Sequence, residues 1–186
     1  MSVDLEEIRR VMAEADCLAT PAEVEAALAR MAAEITERLG RDNPLIYTVM
    51  NGGLIVAGRL LPQLAFPLET AYLHASRYGH QLCGNHLLDW RVRPTQPLQG
   101  RTVLVIDDIL DEGHTLHAIC RHLRDEGAAE VLTAVLVDKQ HARKAEPGMR
   151  ADFTGLELPD RFLFGCGMDY KGYWRNAAGI FALKGH

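Results

Sequence analysis

Within "VLVIDDILDEGHTL", residues 103–116, an apolar run meets three carboxylates, Asp107, Asp108 and Asp111. Adjacent carboxylates at the end of an apolar run suit two partners. They accept hydrogen bonds from neighbouring hydroxyl groups, or they hold a hydrated divalent cation. The residues that follow suit a third. Asp111, Glu112, Gly113, His114 and Thr115 make a short loop in which Gly113 lets the backbone turn and Thr115 offers a hydroxyl. With a helix starting there, backbone N–H groups and the helix dipole form an anion cradle. A bare phosphate is a poor neighbour for three acids. A ligand with a terminal phosphate, a diol and a magnesium-bound group satisfies all of them together.

Such a loop needs a strand before it and a helix after it, and the flanking sequence supplies both. Residues 101–107 form a continuous apolar strand of the kind covered on both faces by helices. Residues 115–127 carry Leu116, Ile119, Cys120 and Leu123 on one helical stripe, and Gly127 ends it. A second apolar strand follows at 130–138. Strand, helix, strand makes a parallel pair, and open α/β sheets bind ligands at the carboxyl ends of their strands. A ribose 5-phosphate carrying a pyrophosphate is a ligand of the required kind.

The rest of the chain extends the same architecture. Leu5, Ile8, Val11 and Met12 have helical spacing, so the first helix is expected across "DLEEIRRVMAEADCL", residues 4–18. Thr20, Pro21 and Glu23 write a capping box for a second helix that Gly40 closes. Residues 44–50 read as a buried strand ending at "NGG", and 54–64 as a helix with Pro62 near its end. Residues 68–76 and 87–93 read as strands around a polar, glycine-containing loop at 77–86. Two short apolar runs flank a polar segment within 161–184. The reading is one α/β domain over 1–186, with a mostly parallel twisted sheet flanked by helices. N-terminal helices occupy 1–40, the core 41–160, and a C-terminal segment 161–186 contributes to a small hood built from the terminal segments.

Bulk properties exclude other classes. A formal charge of −5 argues against a nucleic-acid-binding face. No apolar run approaches the ~20 residues of a membrane span, and the acidic start "MSVDLEEIRR" lacks a secretion signal. Cys17, Cys83, Cys120 and Cys166 form no C-x-x-C pair, which fits free thiols in a cytoplasmic protein. His114, His117 and His122 do not share one helix face and so do not make a metal site.

The acidic signature resembles that of the type I phosphoribosyltransferases: an apolar run, two acids, two apolar residues, then D-x-G-x-T. "VMNGG" after an early strand, "SRY" at 76–78, "VDKQHARK" at 137–144 and "DRFLFGCGMDYKGYWRN" at 160–176 resemble the hypoxanthine-guanine branch, in order, over residues 40–184. The resemblance implies roles. Asp107 and Asp108 would accept from the ribose hydroxyls and, with Asp169, serve Mg2+. Asp111 to Thr115, including Glu112, Gly113 and His114, would cradle the 5′-phosphate. Asp111 would also take the proton from purine N7, which makes N9 a better nucleophile. Lys139 would donate to O6 of a 6-oxopurine base, Phe162 would stack on the ring, and the Leu163 carbonyl would receive ring N–H groups. Asn51, Gly52 and Arg175 would contact pyrophosphate, the first two in a loop where a non-proline cis peptide is expected. Ser76, Arg77 and Tyr78 would close over the reacting centre.

Two residues depart from the family pattern: Asn51 stands where lysine is common, and Glu112 where threonine or serine is common. Glu112 is expected to point outward. The implied protein is a homodimer or homotetramer that uses phosphoribosyl pyrophosphate and a purine base. A xanthine-preferring enzyme remains an alternative, as does a ligand-sensing regulator on the same fold.

Overall fold

The structure is a computed structural model that describes residues 4–77 and 88–185. Helix α1 spans Leu5–Glu14 and α2 spans Pro21–Leu39. The α2 capping box forms as its sequence dictates: Thr20 Oγ1 accepts from the Glu23 N–H, and the Glu23 carboxylate accepts from the Thr20 N–H. Along α2, Leu28, Met31, Ile35 and Leu39 are fully buried, each stabilising the fold by about 1.5–3 kcal/mol.

The main sheet has six strands in the order β4-β3-β2-β5-β6-β7. These are β2 Leu45–Val49, β3 Glu69–Arg77, β4 Leu88–Val92, β5 Thr102–Leu110, β6 Glu130–Gln140 and β7 Phe153–Pro159. All neighbours are parallel except β3 and β4. Alternation divides the core. Ile46, Leu104 and Ile106 pack with α2 and with α3, Gly53–Leu60. Tyr47, Val103 and Val105 pack beneath α4, His114–Asp125.

A second sheet, ordered β1-β9-β8, forms the hood. It joins β1 Asp16–Ala19, β8 Leu163–Phe164 and β9 Ile180–Ala182, so the first strand pairs with the last. Residues 16–18 are therefore a strand and not the end of α1. The tertiary partner β9 overrides the helical pattern. Helix α1 also serves the hood: Tyr170 Oη and Lys171 Nζ both donate to Glu7, and Trp174 Nε1 donates to the Ile8 carbonyl.

Strand β7 is an addition to the sequence reading. Gly155 weakens its apolar alternation, yet the position needs glycine, since a Cβ there would lie 2.6 Å from the Leu136 carbonyl oxygen. Tyr78, Cys83 and most of the expected closing segment lie outside the described residues. No helix among the described residues is long and apolar enough to cross a membrane.

Cys120 lies on the buried stripe of α4, and burial pushes its thiol up to about 12. At pH 8 that leaves about three orders of magnitude less thiolate than in a free cysteine near 8.5. Cys17 is exposed. Iodoacetamide at pH 8 should therefore modify Cys17 rapidly and spare Cys120, read by peptide mass mapping. Equal modification of the two would mean that α4 does not hold Cys120 in the core.

Candidate active site

The sheet places the acids by letting one strand outrun its neighbour. β2 pairs with β5 only as far as Thr48 opposite Ile106. β5 continues against β6 to Leu110 opposite Asp138, three residues past the strand end expected from sequence. The long β6 supplies the extra ladder partners. Asp107 and Asp108 thus lie on regular strand backbone just beyond the end of β2.

Two other segments converge there. The turn from β2 into α3 holds a cis peptide between Met50 and Asn51, in the loop where one was expected. Gly52 follows, and a Cβ on it would fall 2.6 Å from Asp108 Cγ. From the hood side comes Gly167, with φ +111°, where a Cβ would lie 2.8 Å from Asp108 Cβ and press on the Gly52 carbonyl oxygen. Two backbones therefore close on the Asp108 side chain, and each can do so only as glycine.

The electrostatics of the pair follow from this packing. Burial, then the charge of Asp108, pushes the Asp107 carboxyl well above the usual range. Burial also raises Asp108, against the hydrogen bond from Asp107 and the charge of Arg175. Arg175 Nη1 stands 3.9 Å from Asp108 Oδ2 and donates to the Gly167 carbonyl at 2.6 Å. Its Nη2 pairs with Asp169, whose other oxygen accepts from the Gly172 N–H at 2.6 Å. Two desolvated acids beside a single guanidinium form a site that favours a cation or hydroxyl donors.

After β5 the chain makes the expected loop. Gly113 is the N-cap of α4 with φ +85°, and no side chain caps the helix. The first N–H groups of α4, those of His114 and Thr115 among them, are left as the donors of an anion site. Glu112 is 40% exposed, so its charge reaches solvent beside this loop, and its carboxylate lies 3.6 Å from His114 Nε2.

Asp111 is held by both oxygens. Lys139 Nζ donates to Oδ2 at 3.0 Å, and His141 Nε2 lies 2.7 Å from Oδ1. Burial raises the Asp111 pKa, but Lys139 and then His141 outweigh it, and the carboxyl ends below its ordinary range. Lys139 is nearly buried and also lies 3.6 Å from Asp160.

Asp108, Asp111, Lys139, Phe162, Leu163, Asp169 and Arg175 line one recess of about 210 Å³, together with Ile109 and Met168. Strand ends and hood contribute opposite walls. Phe162 is 45% exposed, with its ring edge-on to Tyr170 at 5.9 Å between centroids. Asn51 and Gly52 flank the acid pair, and Gly113 to Thr115 lie at the α4 terminus. Ser76 and Arg77 stand at the end of β3, opposite Asp89 and Leu88 of β4. Sequence reading passed over His141 and Lys144. Both lie in "VDKQHARK", a segment that carried the family resemblance but gave a role only to Lys139, and the dense charge after a strand end was their own signal. A larger recess of about 450 Å³ lies between α2, α3 and residues 176–178. Its Arg59 is already paired with Glu25, and no acids converge there.

A doubly covered parallel sheet, with an acid pair and an uncapped helix at its carboxyl edge, defines a binder of phosphorylated sugars or nucleotides. The chain belongs to the phosphoribosyl transferase family: residues 16–171 match the phosphoribosyl transferase domain. It is 31% identical over 162 residues to the hypoxanthine-guanine phosphoribosyltransferase of Bacillus subtilis, covering 87% of this chain and 89% of the relative. A protein of Tritrichomonas foetus named hypoxanthine-guanine-xanthine phosphoribosyltransferase is 30% identical over 163 residues, 87% of each. The fold superposes on a Staphylococcus aureus hypoxanthine phosphoribosyltransferase with a TM-score of 0.84, at 24% identity and 91% coverage of each chain. Within the family, the chain falls in the hypoxanthine-guanine branch.

Proposed function

We propose that the protein transfers the 5-phosphoribosyl group of phosphoribosyl pyrophosphate to N9 of hypoxanthine or guanine, giving IMP or GMP and pyrophosphate in purine salvage. The carrying observation is the recess that unites Asp108 at the end of β5, and Asp111 just after it, with Lys139 and Phe162.

Asp107 and Asp108 accept from the ribose hydroxyls, and the α4 terminus holds the 5′-phosphate. Phe162 stacks on the purine. The Leu163 carbonyl receives ring N–H groups. Asp111 accepts the N7 proton as N9 bonds to the anomeric carbon and the bond to pyrophosphate breaks. Both Asp111 oxygens keep a lone pair beyond those used by Lys139 and His141, so the acceptor is available. The adjacent carboxylates suit a sugar centre that gains positive charge. Asn51, Gly52 and Arg175 receive the leaving group, and Ser76, Arg77 and Tyr78 belong to the closing segment.

The acids also fit Mg2+. Asp107 and Asp108 are neighbouring carboxyls that burial pushes up, so a cation beside them would favour their charged forms. Among the described residues no three acid, histidine or cysteine side chains form a metal cluster. Mg2+ commonly keeps its waters and takes only one or two carboxylates beside substrate phosphates. Asp107 and Asp108 would hold it, with Asp169 once released from Arg175. Bound there, Mg2+ would neutralise charge on the departing pyrophosphate. Free Cys17, Cys120 and Cys166 support a cytoplasmic setting.

Initial rates with hypoxanthine, guanine, xanthine and adenine, with and without magnesium, test the reading. Adenine should turn over very poorly, because its amino group sets donors against the Lys139 ammonium. Lys139→Ala should lower activity on hypoxanthine and guanine together, by about ten- to a hundredfold. Adenine turnover equal to that of hypoxanthine in the unaltered protein would reject the assignment of base.

A further inference from the structure

We infer that His141, as a neutral imidazole, holds the Asp111 carboxylate in place for the purine and is a positioning residue of the reaction. The inference rests on Asp111 being the group that takes the N7 proton.

The tautomer follows from geometry. The backbone N–H of Arg143 donates to His141 Nδ1 at 3.0 Å. A nitrogen that accepts a hydrogen bond carries its lone pair, so the ring proton is on Nε2. Nε2 is the atom 2.7 Å from Asp111 Oδ1, and it donates there. The imidazole is 3% exposed, so little water competes for either nitrogen.

The surrounding charges leave this task to His141. Lys139 takes Oδ2, but on a flexible stem, and is shared with Asp160 at 3.6 Å. Arg143 is committed to Asp160, with its two terminal nitrogens at 2.7 and 3.0 Å from the two carboxylate oxygens. Glu112 lies beside His114. Lys144 fixes the backbone, donating to the carbonyls of Leu110 and Asp111 at 2.8 Å each and to Asp138 at 2.7 Å. With one donor the carboxylate can rotate about its last bond. A second, rigid donor on the other oxygen sets its plane. Residues 138–144 therefore form a frame under Asp111, with Lys144 gripping the main chain and His141 the side chain.

The test compares His141→Ala, His141→Gln and Asp111→Asn in steady-state rates from pH 5 to 9. In His141→Ala, kcat should fall about tenfold, the factor one hydrogen bond to a charged group carries. KM for phosphoribosyl pyrophosphate should stay within about twofold of the parent value. The acid limb of kcat should move to higher pH, because Asp111 loses a donor that favours its charged form. His141→Gln retains an N–H donor and should recover much of both. If His141→Ala does not fold, His141→Asn, whose amide is too short to reach Oδ1, replaces it against His141→Gln. An unchanged kcat and acid limb in the variant without a reaching donor overturns the inference. A loss that glutamine does not relieve also overturns it, marking a packing role. If Asp111→Asn keeps its kcat, the base reading fails and the inference falls with it. If Asp111→Asn loses activity while the histidine variants do not, only the inference fails.

Discussion

Replacing Asp111 by asparagine should lower kcat by about a hundredfold or more, the range typical of losing a general base. An amide keeps the size of the side chain but cannot accept the N7 proton. The 5′-phosphate cradle depends on the Gly113 turn and the α4 backbone, neither of which needs the Asp111 charge. Affinity for phosphoribosyl pyrophosphate, measured by calorimetry, should therefore change far less than kcat. The frame beneath survives, because Lys144 grips the Asp111 carbonyl and not its carboxylate. Lys139 keeps Asp160 as a counter-charge. A variant with near-parental kcat would remove Asp111 from the chemistry.

The largest structural loss should come from Gly167→Ala. Alanine at φ +111° is strained, at about 1–3 kcal/mol. Its methyl group would also press on the Gly52 carbonyl and lie 2.8 Å from Asp108 Cβ, so the hood must lift away from α3. Together these should exceed about 3 kcal/mol and lower Tm by roughly 6–12 °C in a domain of this size. Activity should fall further than stability at 25 °C accounts for, since Asp108 loses its neighbours. Gly148→Ala is the control. Its φ is +73°, and a Cβ there meets nothing within 4 Å, so it carries strain without contact. If the two variants melt alike, close packing of the hood on Asp108 is not what Gly167 provides.

Much of this site was legible because its signals are local. The apolar run of β5, the acids after it and the glycine before α4 occupy one short stretch, and each has a physical reason to be there. The α2 boundaries were equally readable, because Thr20, Glu23 and Gly40 carry capping chemistry in their own side chains or backbone. Features that depend on distant partners were not. Asp16–Ala19 is a strand because β9 lies beside it. β7 is held against β6 through a glycine whose value is its missing side chain. His141 looked like one more polar residue in a charged run. Its role needs Asp111, thirty positions earlier, and the Arg143 N–H that selects its tautomer.

The pairing of β1 with β9 has a consequence for synthesis on the ribosome. β9 is the middle strand of the hood, so neither β1 nor β8 has a hood neighbour until Ile180–Ala182 has emerged. Every strand of the main sheet has been made by Pro159, so that sheet can pair before the hood does. A nascent chain can thus build the acid-bearing edge of β5 well before it owns the wall that carries Phe162. Asp16–Ala19 must wait for Ile180–Ala182, and the hood works as a clasp that fastens only after the strands of the main sheet have been made.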